Sequence, residues 1–353
     1  MVSEKEVLQA LSKVTDPELE RDIVALRMVE NVKCQNDTVS FTLNLTTPAC
    51  PLRSRIEEGA RQSVLTLPGV KSVEMKTTAN VYATRPYDQA ELLRGVKNII
   101  AVASGKGGVG KSTVACNLAM ALAGSGAKVG LLDADVYGPS IPLMMGVSTE
   151  VQVKENKIIP PVSEGVKVAS LGFFYKNETP LIWRGPMVAG AVRQLLTQVD
   201  WGDLDYLIVD LGPGTGDGSL TLAQTVPLGG VVVVTTPQDA ARTIAAKALA
   251  MFRRLNVPIL GVVENMSYFV CPHCGEKTYV FATGGGKEIA KEMDVDFLGE
   301  IPLDPLIREQ ADAGKPVVAA SPDSAQAVAF KEFAFRVAGM VSIVAFSRAR
   351  ADA

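Results

Sequence analysis

Chemistry-bearing residues gather in three places along the chain. The first is a glycine-rich run, Gly105, Lys106, Gly107, Gly108, Val109, Gly110, Lys111, Ser112 and Thr113, which satisfies G-x-x-x-x-G-K-[ST]. Glycines at these positions let consecutive backbone N–H groups turn toward phosphate oxygens, and a following helix adds its positive end. Lys111 supplies a point charge to the outer phosphates and Ser112 a hydroxyl for Mg²⁺, so the expected ligand is ATP with Mg²⁺.

Two acidic strand ends are the second place. Leu131-Leu132-Asp133-Ala134-Asp135 and Leu207-Ile208-Val209-Asp210 each close an apolar run with carboxylates. A parallel sheet puts such residues in the crevice beside the glycine loop, where Asp210 is the candidate to hold Mg²⁺ through its water shell. A helix cap is the plainer role for either carboxylate.

The third is Cys271-Pro272-His273-Cys274. Two thiolates three positions apart chelate one metal, but zinc and cluster sites take four ligands, and the chain has no second C-x-x-C. A two-fold dimer supplies the missing pair, giving the Cys₄ set of a 4Fe–4S cluster or of structural zinc. A redox dithiol is weaker, because the motif follows a sheet strand instead of opening a helix. His273, the only histidine, is expected to point to solvent.

The elements that must position these residues follow from periodicity. Short Val/Ile/Leu runs at 98–103, 128–133, 206–210, 230–235, 259–263 and 297–301 suit strands buried on both faces, with helices at 113–123, 186–199 and 240–255 crossing between them. The expectation is a doubly wound, mainly parallel α/β domain over 97–353. Ahead of it, residues 1–80 read as a small α+β unit: an amphipathic helix through Val7, Leu8, Leu11 and Val14, a strand at 39–45, a helix at 52–65 and a strand at 70–75. Residues 81–96 lose periodicity around Pro86 and read as a linker.

Composition narrows the partners. A net charge of −3 on 353 residues provides no basic field for nucleic acid. A polar N-terminus and the lack of a long apolar run exclude a signal core or a membrane span, so a cytoplasmic protein without stable membrane association is expected. The tail 341–350 mixes apolar residues with Arg348 and Arg350, which makes it a candidate for weak membrane binding. Five cysteines, three of them scattered, make a poor disulfide framework and fit a reducing compartment.

The second lysine of the glycine loop, Lys106, completes K-G-G-x-G-K-S and resembles the deviant Walker A ATPases. With Asp133 to Ser140 (Asp-Ala-Asp-Val-Tyr-Gly-Pro-Ser), Trp183 to Met187, Pro213 to Asp217, Thr235 to Gln238 and Glu264 to Ser267, residues 97 to about 340 resemble the Mrp/ApbC-type iron–sulfur carrier ATPases, relatives of MinD. The resemblance implies a slow ATPase that carries a 4Fe–4S cluster between two copies and passes it to apo iron–sulfur proteins, with a cluster scaffold as a further partner. It implies that Lys106 reaches the phosphates in the other subunit, that Asp135 orients the attacking water, that Asn265 reads adenine, and that Pro302 and Asp304 pack on the base. A MinD-like positioning or regulatory ATPase with zinc at the cysteines is the alternative. One departure stands out: Gly212 occupies a position where the family usually has proline, which loosens a switch segment. The first 80 residues resemble the SufT-like domain of iron–sulfur assembly factors through Asp16-Pro17-Glu18 and Thr46-Thr47-Pro48-Ala49-Cys50-Pro51, where Cys50 is either reactive or structural.

Overall fold

The computed structural model describes residues 2–17, 19–84, 93, 95–135, 138–148, 150–173, 185–214, 220, 223–224 and 226–351. Most of the expected linker lies outside the described residues, as do Glu18, Val136, Tyr137, Trp183, Arg184 and 215–217 of the motifs above. The chain divides into two compact units, one of Met1–Tyr82 with Ala338–Ala353 and one of Ala83–Val337.

In the first unit, α1 (Glu4–Leu11) starts at a capping box in which Ser3 and Glu6 satisfy each other's free backbone N–H groups. The short pair β1 (Thr15–Asp16) and β2 (Arg21–Asp22) leads into a three-stranded sheet, β3 (Val29–Gln35), β4 (Thr38–Leu45) and β5 (Ser72–Ala79). β4 lies in the middle, antiparallel to β3 and parallel to β5, with α2 (Arg53–Leu65) making the crossover. Alternation in β4 buries Val39, Phe41, Leu43 and Leu45 on one face, against Val7 and Leu11 of α1 and Ile56, Ala60 and Val64 of α2. The 27-residue helix Ala325–Ala351 begins in the second unit and its residues from Ala338 onward belong to the first. By this division the residues from Ala338 onward, expected with the second domain, fall with the first unit. Val341 and Ala345 are buried, and the Phe346 ring packs on Tyr82 at 4.9 Å between centroids. No helix among the described residues is long and apolar enough to cross a membrane.

The second unit is built on an eight-stranded sheet. Its strands are β6 (Val96–Ser104), β7 (Val129–Ala134), β10 (Val162–Ser163), β11 (Val166–Ser170), β12 (Leu204–Leu211), β13 (Gly230–Thr235), β14 (Ile259–Glu264) and β17 (Phe297–Glu300), with β8 (Gln152–Lys154) and β9 (Lys157–Ile159) forming a separate ribbon. The order is β10-β11-β7-β12-β6-β13-β14-β17, and every neighbouring pair is parallel except β10–β11. Every residue of β7 and β13 is buried, as an unbroken apolar run sandwiched between helices requires. The expected parallel core is present, and the β10–β11 edge is an addition to it. The three expected crossover helices run over Lys111–Gly124 (α3), Gly185–Gln198 and Asp239–Arg254, and Gly285–Glu292 lies between β14 and β17.

β6 is the strand at which the order reverses, with β12 and β7 to one side and β13 and β14 to the other, so its C-terminal end opens into the crevice that α/β sheets use for ligands. α3 leaves that crevice nearly fully buried, from Val114 to Leu122. Its one buried side-chain amide, Asn117, donates to Thr113 O at 2.9 Å and accepts from Val318 N at 3.1 Å, which fixes the helix against Val317–Ala320.

The small unit has a core of its own, and Phe41 lies in it at 3% exposure. Phe41→Ala is expected to lower the stability of that unit by about 3–5 kcal/mol while ATP affinity stays at the wild-type value. Urea unfolding followed beside nucleotide titration checks both halves of the expectation.

Candidate nucleotide site and cysteine ribbon

The loop between β6 and α3 is shaped by close approaches that exclude side chains. A Cβ at Gly105 would meet the backbone of Ile244 and Ala245 at 2.6–2.8 Å, so the loop lies directly on the helix Asp239–Arg254. Gly110 has φ of +79° and would thrust a Cβ to 2.2 Å from Asn265 Nδ2. From this left-handed residue the chain enters α3, directing its first N–H groups into a cavity of about 250 Å³. Gly107, Gly108, Lys111, Ser112, Thr113, Asp135 and Pro213 line it, together with Ser140 and Met144 from the turn and short helix after β7.

At the floor of the crevice stands Asp210, fully buried at the end of β12. It accepts from Lys111 Nζ at 2.6 Å on one oxygen and from Ser112 Oγ at 2.6 Å on the other. Asp135 Oδ2 lies 4.0 Å from the same ammonium. The structure thus brings together Lys111, Ser112, Asp135 and Asp210, with one ammonium held between two carboxylates. Burial raises the Asp210 carboxyl above the ordinary carboxylate range, with Lys111 and Ser112 acting against the rise. The donor set suits Mg²⁺, which prefers hard oxygens and keeps several of its waters. Lys106 is part-buried on the cavity wall, its backbone carbonyl accepting from Ser104 Oγ at 3.0 Å. At Gly212 a Cβ would meet Asp135 Oδ1 at 3.7 Å, an ordinary van der Waals distance, and among the described residues beyond its chain neighbours nothing lies nearer.

Asp133 is a site residue that the sequence reasoning left beside Asp135 without a role of its own. It sits opposite Asp210 in the β7–β12 register and is fully buried. Burial and the charge of Asp210 push its carboxyl up to about 8. It accepts from the backbone N of Asp135 and of Ile141, both at 3.2 Å, and from Ser170 Oγ at 3.1 Å. Asp133 therefore ties the backbone of Asp135 and of Ile141 to the end of β7. A carboxylate closing an otherwise apolar buried strand is the signal that could have found it. Cys116 lies fully buried nearby, its thiol pushed well up by burial and by the charges of Asp210 and Asp133, so it is a packing residue.

The residues assigned to the base occupy defined places. Asn265 is 5% exposed, and its amide Nδ2 donates to Val109 O at 2.8 Å, joining the end of β14 to the glycine loop. Pro302 is buried. Asp304 caps the helix Pro305–Asp312 by accepting from Leu306 N at 2.8 Å, and its second oxygen accepts from Gln326 Nε2 at 2.6 Å.

Six residues beyond Asn265 the chain reaches the cysteines. Met266 adopts φ of +56°, uncommon for a non-glycine residue, and turns the chain out of β14. Buried Glu264 steadies the exit by accepting from Ser267 Oγ at 2.6 Å and from the backbone N of Gly286. β15 (Phe269–Val270) and β16 (Lys277–Thr278) then form an antiparallel ribbon with Cys271 and Cys274 in its loop. Lys277 Nζ sits 4.2 Å from the centre of the Tyr268 ring at the ribbon's base. The loop closes with Gly275 N donating to Cys271 O at 2.8 Å and Cys271 N donating to Glu276 O at 3.0 Å. Cys274 is exposed and Cys271 half-buried. Hydrogen bonds from the Cys274 and His273 backbone hold the Cys271 thiol below its ordinary value, so the thiolate that metals require is favoured. Among the described residues no group of three or more His, Cys, Asp or Glu could hold a metal.

Comparison with known proteins accords with this geometry. Residues 95–338 match the family model described as NUBPL iron-transfer P-loop NTPase, and residues 4–75 match that of an iron–sulfur cluster assembly protein. The iron–sulfur cluster carrier protein of Synechocystis sp. is 50% identical over 351 residues, 98% of this chain and 99% of that one. Its counterpart in Escherichia coli is 40% identical over 337 residues, 95% and 91% of the two chains. Among solved structures, a nucleotide-binding protein from Archaeoglobus fulgidus in complex with ADP is 41% identical, covering 65% of this chain and 89% of its own, with a TM-score of 0.57. The cell-division ATPase MinD of Pyrococcus furiosus, 23% identical over 68% of this chain and 98% of its own with a TM-score of 0.50, shares the fold. The charged crevice at the end of β6 and the paired cysteines at the end of β14 are thus carried by a chain that belongs to the NUBPL-type iron-transfer P-loop NTPases, with an iron–sulfur cluster assembly domain at its N-terminus.

Proposed function

We propose that the chain binds and slowly hydrolyses ATP and carries a 4Fe–4S cluster between two copies, releasing it to apo-proteins. The single observation that carries the proposal is the C-x-x-C ribbon that follows β14, the strand whose next residue, Asn265, bonds to the phosphate loop. The full-length similarity to proteins named iron–sulfur cluster carriers supports it.

The nucleotide half follows from charge. When the triphosphate enters the cavity, Lys111 exchanges its bond to Asp210 for the phosphate oxygens, and the α3 N-terminus receives the remaining charge. Ser112 and Asp210 are then free to hold Mg²⁺, which when bound neutralises charge on the phosphates. Asp135, held by Asp133 through its backbone, orients the water that attacks. Lys106 acts on the phosphates in the other copy, and Asn265, Pro302 and Asp304 form the adenine side. The cargo half follows from counting: one chain offers two thiolates and a 4Fe–4S cluster takes four. A cytoplasmic, homodimeric carrier that serves apo iron–sulfur proteins fits both halves. The small unit, with Cys50 buried at 9% exposure in the turn before α2, is the part proposed to meet a scaffold or client.

Asp135→Ala is expected to lower turnover by about 10²–10⁴-fold while retaining more ATP affinity than Lys111→Ala. Lys106→Ala lowers turnover as well. Lys111→Ala carries a second signature, because it strands Asp210 as a buried charge and costs about 3–5 kcal/mol of stability, which Asp210→Asn restores in part. Turnover, ATP titration and urea unfolding separate these effects, and unchanged turnover in Asp135→Ala removes that residue from the mechanism.

Cys271→Ala and Cys274→Ala are each expected to abolish cluster uptake with ATP affinity unchanged, since the nucleotide cavity uses neither sulfur. Anaerobic reconstitution with iron and sulfide, followed by iron counts and mass of the assembled species, checks this. A cluster retained in both variants, or a full cluster on a monomer, overturns the reading.

A further inference from the structure

Among the described residues eight large apolar side chains are exposed, and three of them are consecutive: Tyr279, Val280 and Phe281, at 47%, 52% and 45% exposure. They end a run, 272–281, in which every residue is exposed and which includes Cys274. The segment is anchored on both sides. Upstream, the ladder pairs Thr278 with Phe269 and Lys277 with Val270, so Tyr279 follows directly on β16 at the end of the short ribbon away from the cysteine loop. Downstream, Gly285 lies against the backbone of Pro237, where a Cβ would come within 2.6 Å of the carbonyl oxygen, and Gly286 N donates to the buried Glu264 carboxylate. Three apolar side chains in water between two fixed points are an unfavourable display unless another surface covers them.

The cysteines identify that surface. Cys271 and Cys274 are half of a ligand set, so the groups that complete it must come within one cluster's width of the ribbon loop. A protein surface of ordinary interface size, about 800 Å² a side, that is centred on the loop also covers the two-pair ribbon and the residues that leave it. A second copy of this chain brings an identical thiol pair, and a two-fold axis through the shared cluster sets the same apolar patch at an equal distance from the axis on each side. Resting on the reading of Cys271 and Cys274 as cluster ligands, we infer that Tyr279, Val280 and Phe281 form an apolar collar, contributed by both copies, that holds the dimer together at the ribbon and keeps water and oxygen from the cluster.

The test compares the wild-type chain with the triple variant Tyr279→Ser, Val280→Ser, Phe281→Ser and with Phe281→Ser alone, all reconstituted anaerobically with iron and sulfide. Cys271→Ala serves as the cluster-free control, and ATP affinity reports that each variant is folded. Sedimentation gives the dimer dissociation constant, and loss of visible absorbance on admitting air gives the cluster lifetime. The collar predicts that the triple variant dissociates at least about tenfold more readily and bleaches faster, with Phe281→Ser intermediate in both. Should the triple variant misfold, Phe281→Ser carries the comparison. Wild-type dissociation and bleaching in the folded variants overturn the collar while leaving the cluster reading intact. The same result with slowed transfer to an apo-protein assigns the patch to a client instead, and also overturns it. A wild-type chain that takes up no cluster overturns the cluster reading itself.

Discussion

One buried carboxylate, Asp210, organises the nucleotide half of this protein. A charge at the end of a fully buried strand is tolerable only when paired, and Lys111 and Ser112 supply the pairing from the first residues of α3. That requirement places the start of α3 over the end of β12, and so places the loop before it at the mouth of β6. The same buried charge extends to its neighbour: Asp133, one strand away, is held toward its neutral form and so acts as a fastener for the Asp135 segment rather than as a second anion in the site.

From that centre a chain of short contacts leads to the cysteines. Val109 of the loop accepts from Asn265, the next residue is a left-handed Met266, and the ribbon begins at Phe269. Because Glu264 ties the strand end to both Ser267 and Gly286, the two sides of the ribbon share one support. The phosphate loop and the base of the ribbon are therefore joined through a bond, whereas the cysteines do not line the nucleotide cavity.

Much of the fold was legible because strands buried on two faces leave little choice of residue. The valine run of β13 and the Tyr206-to-Asp210 run of β12 announce themselves, and the loop motif fixes which strand comes first in the crevice. β3 was not legible, because it is half-exposed and irregular, with polar residues at Glu30, Asn31 and Lys33 and a register shift between Glu30 and Lys33. The β10–β11 edge is short and broken by a turn at Glu164 and Gly165. In the site, the residue types were readable from their spacing. The contacts that give Asp133 and Asn265 their structural roles were not: Asn265 meets a carbonyl 156 positions away, and Asp133 depends on a register set by the neighbouring strand. In the tail, apolar residues mixed with arginine describe a helix packed along one side as well as they describe a membrane binder, and Val341 and Ala345 are buried.

The division of the chain into units has a consequence for its birth. The unit of Met1–Tyr82 is completed by Ala338–Ala353, so the whole nucleotide-binding unit is an insertion between the two segments of the smaller one. On the ribosome the sheet of β3, β4 and β5 emerges well before Phe346, which packs against its core and meets the Tyr82 ring at a tilt of 57°. The smaller unit is completed only after the inserted one has been synthesised, so a loss within Ala338–Ala353 leaves its defect at the unit of Met1–Tyr82, more than two hundred and fifty positions away in sequence.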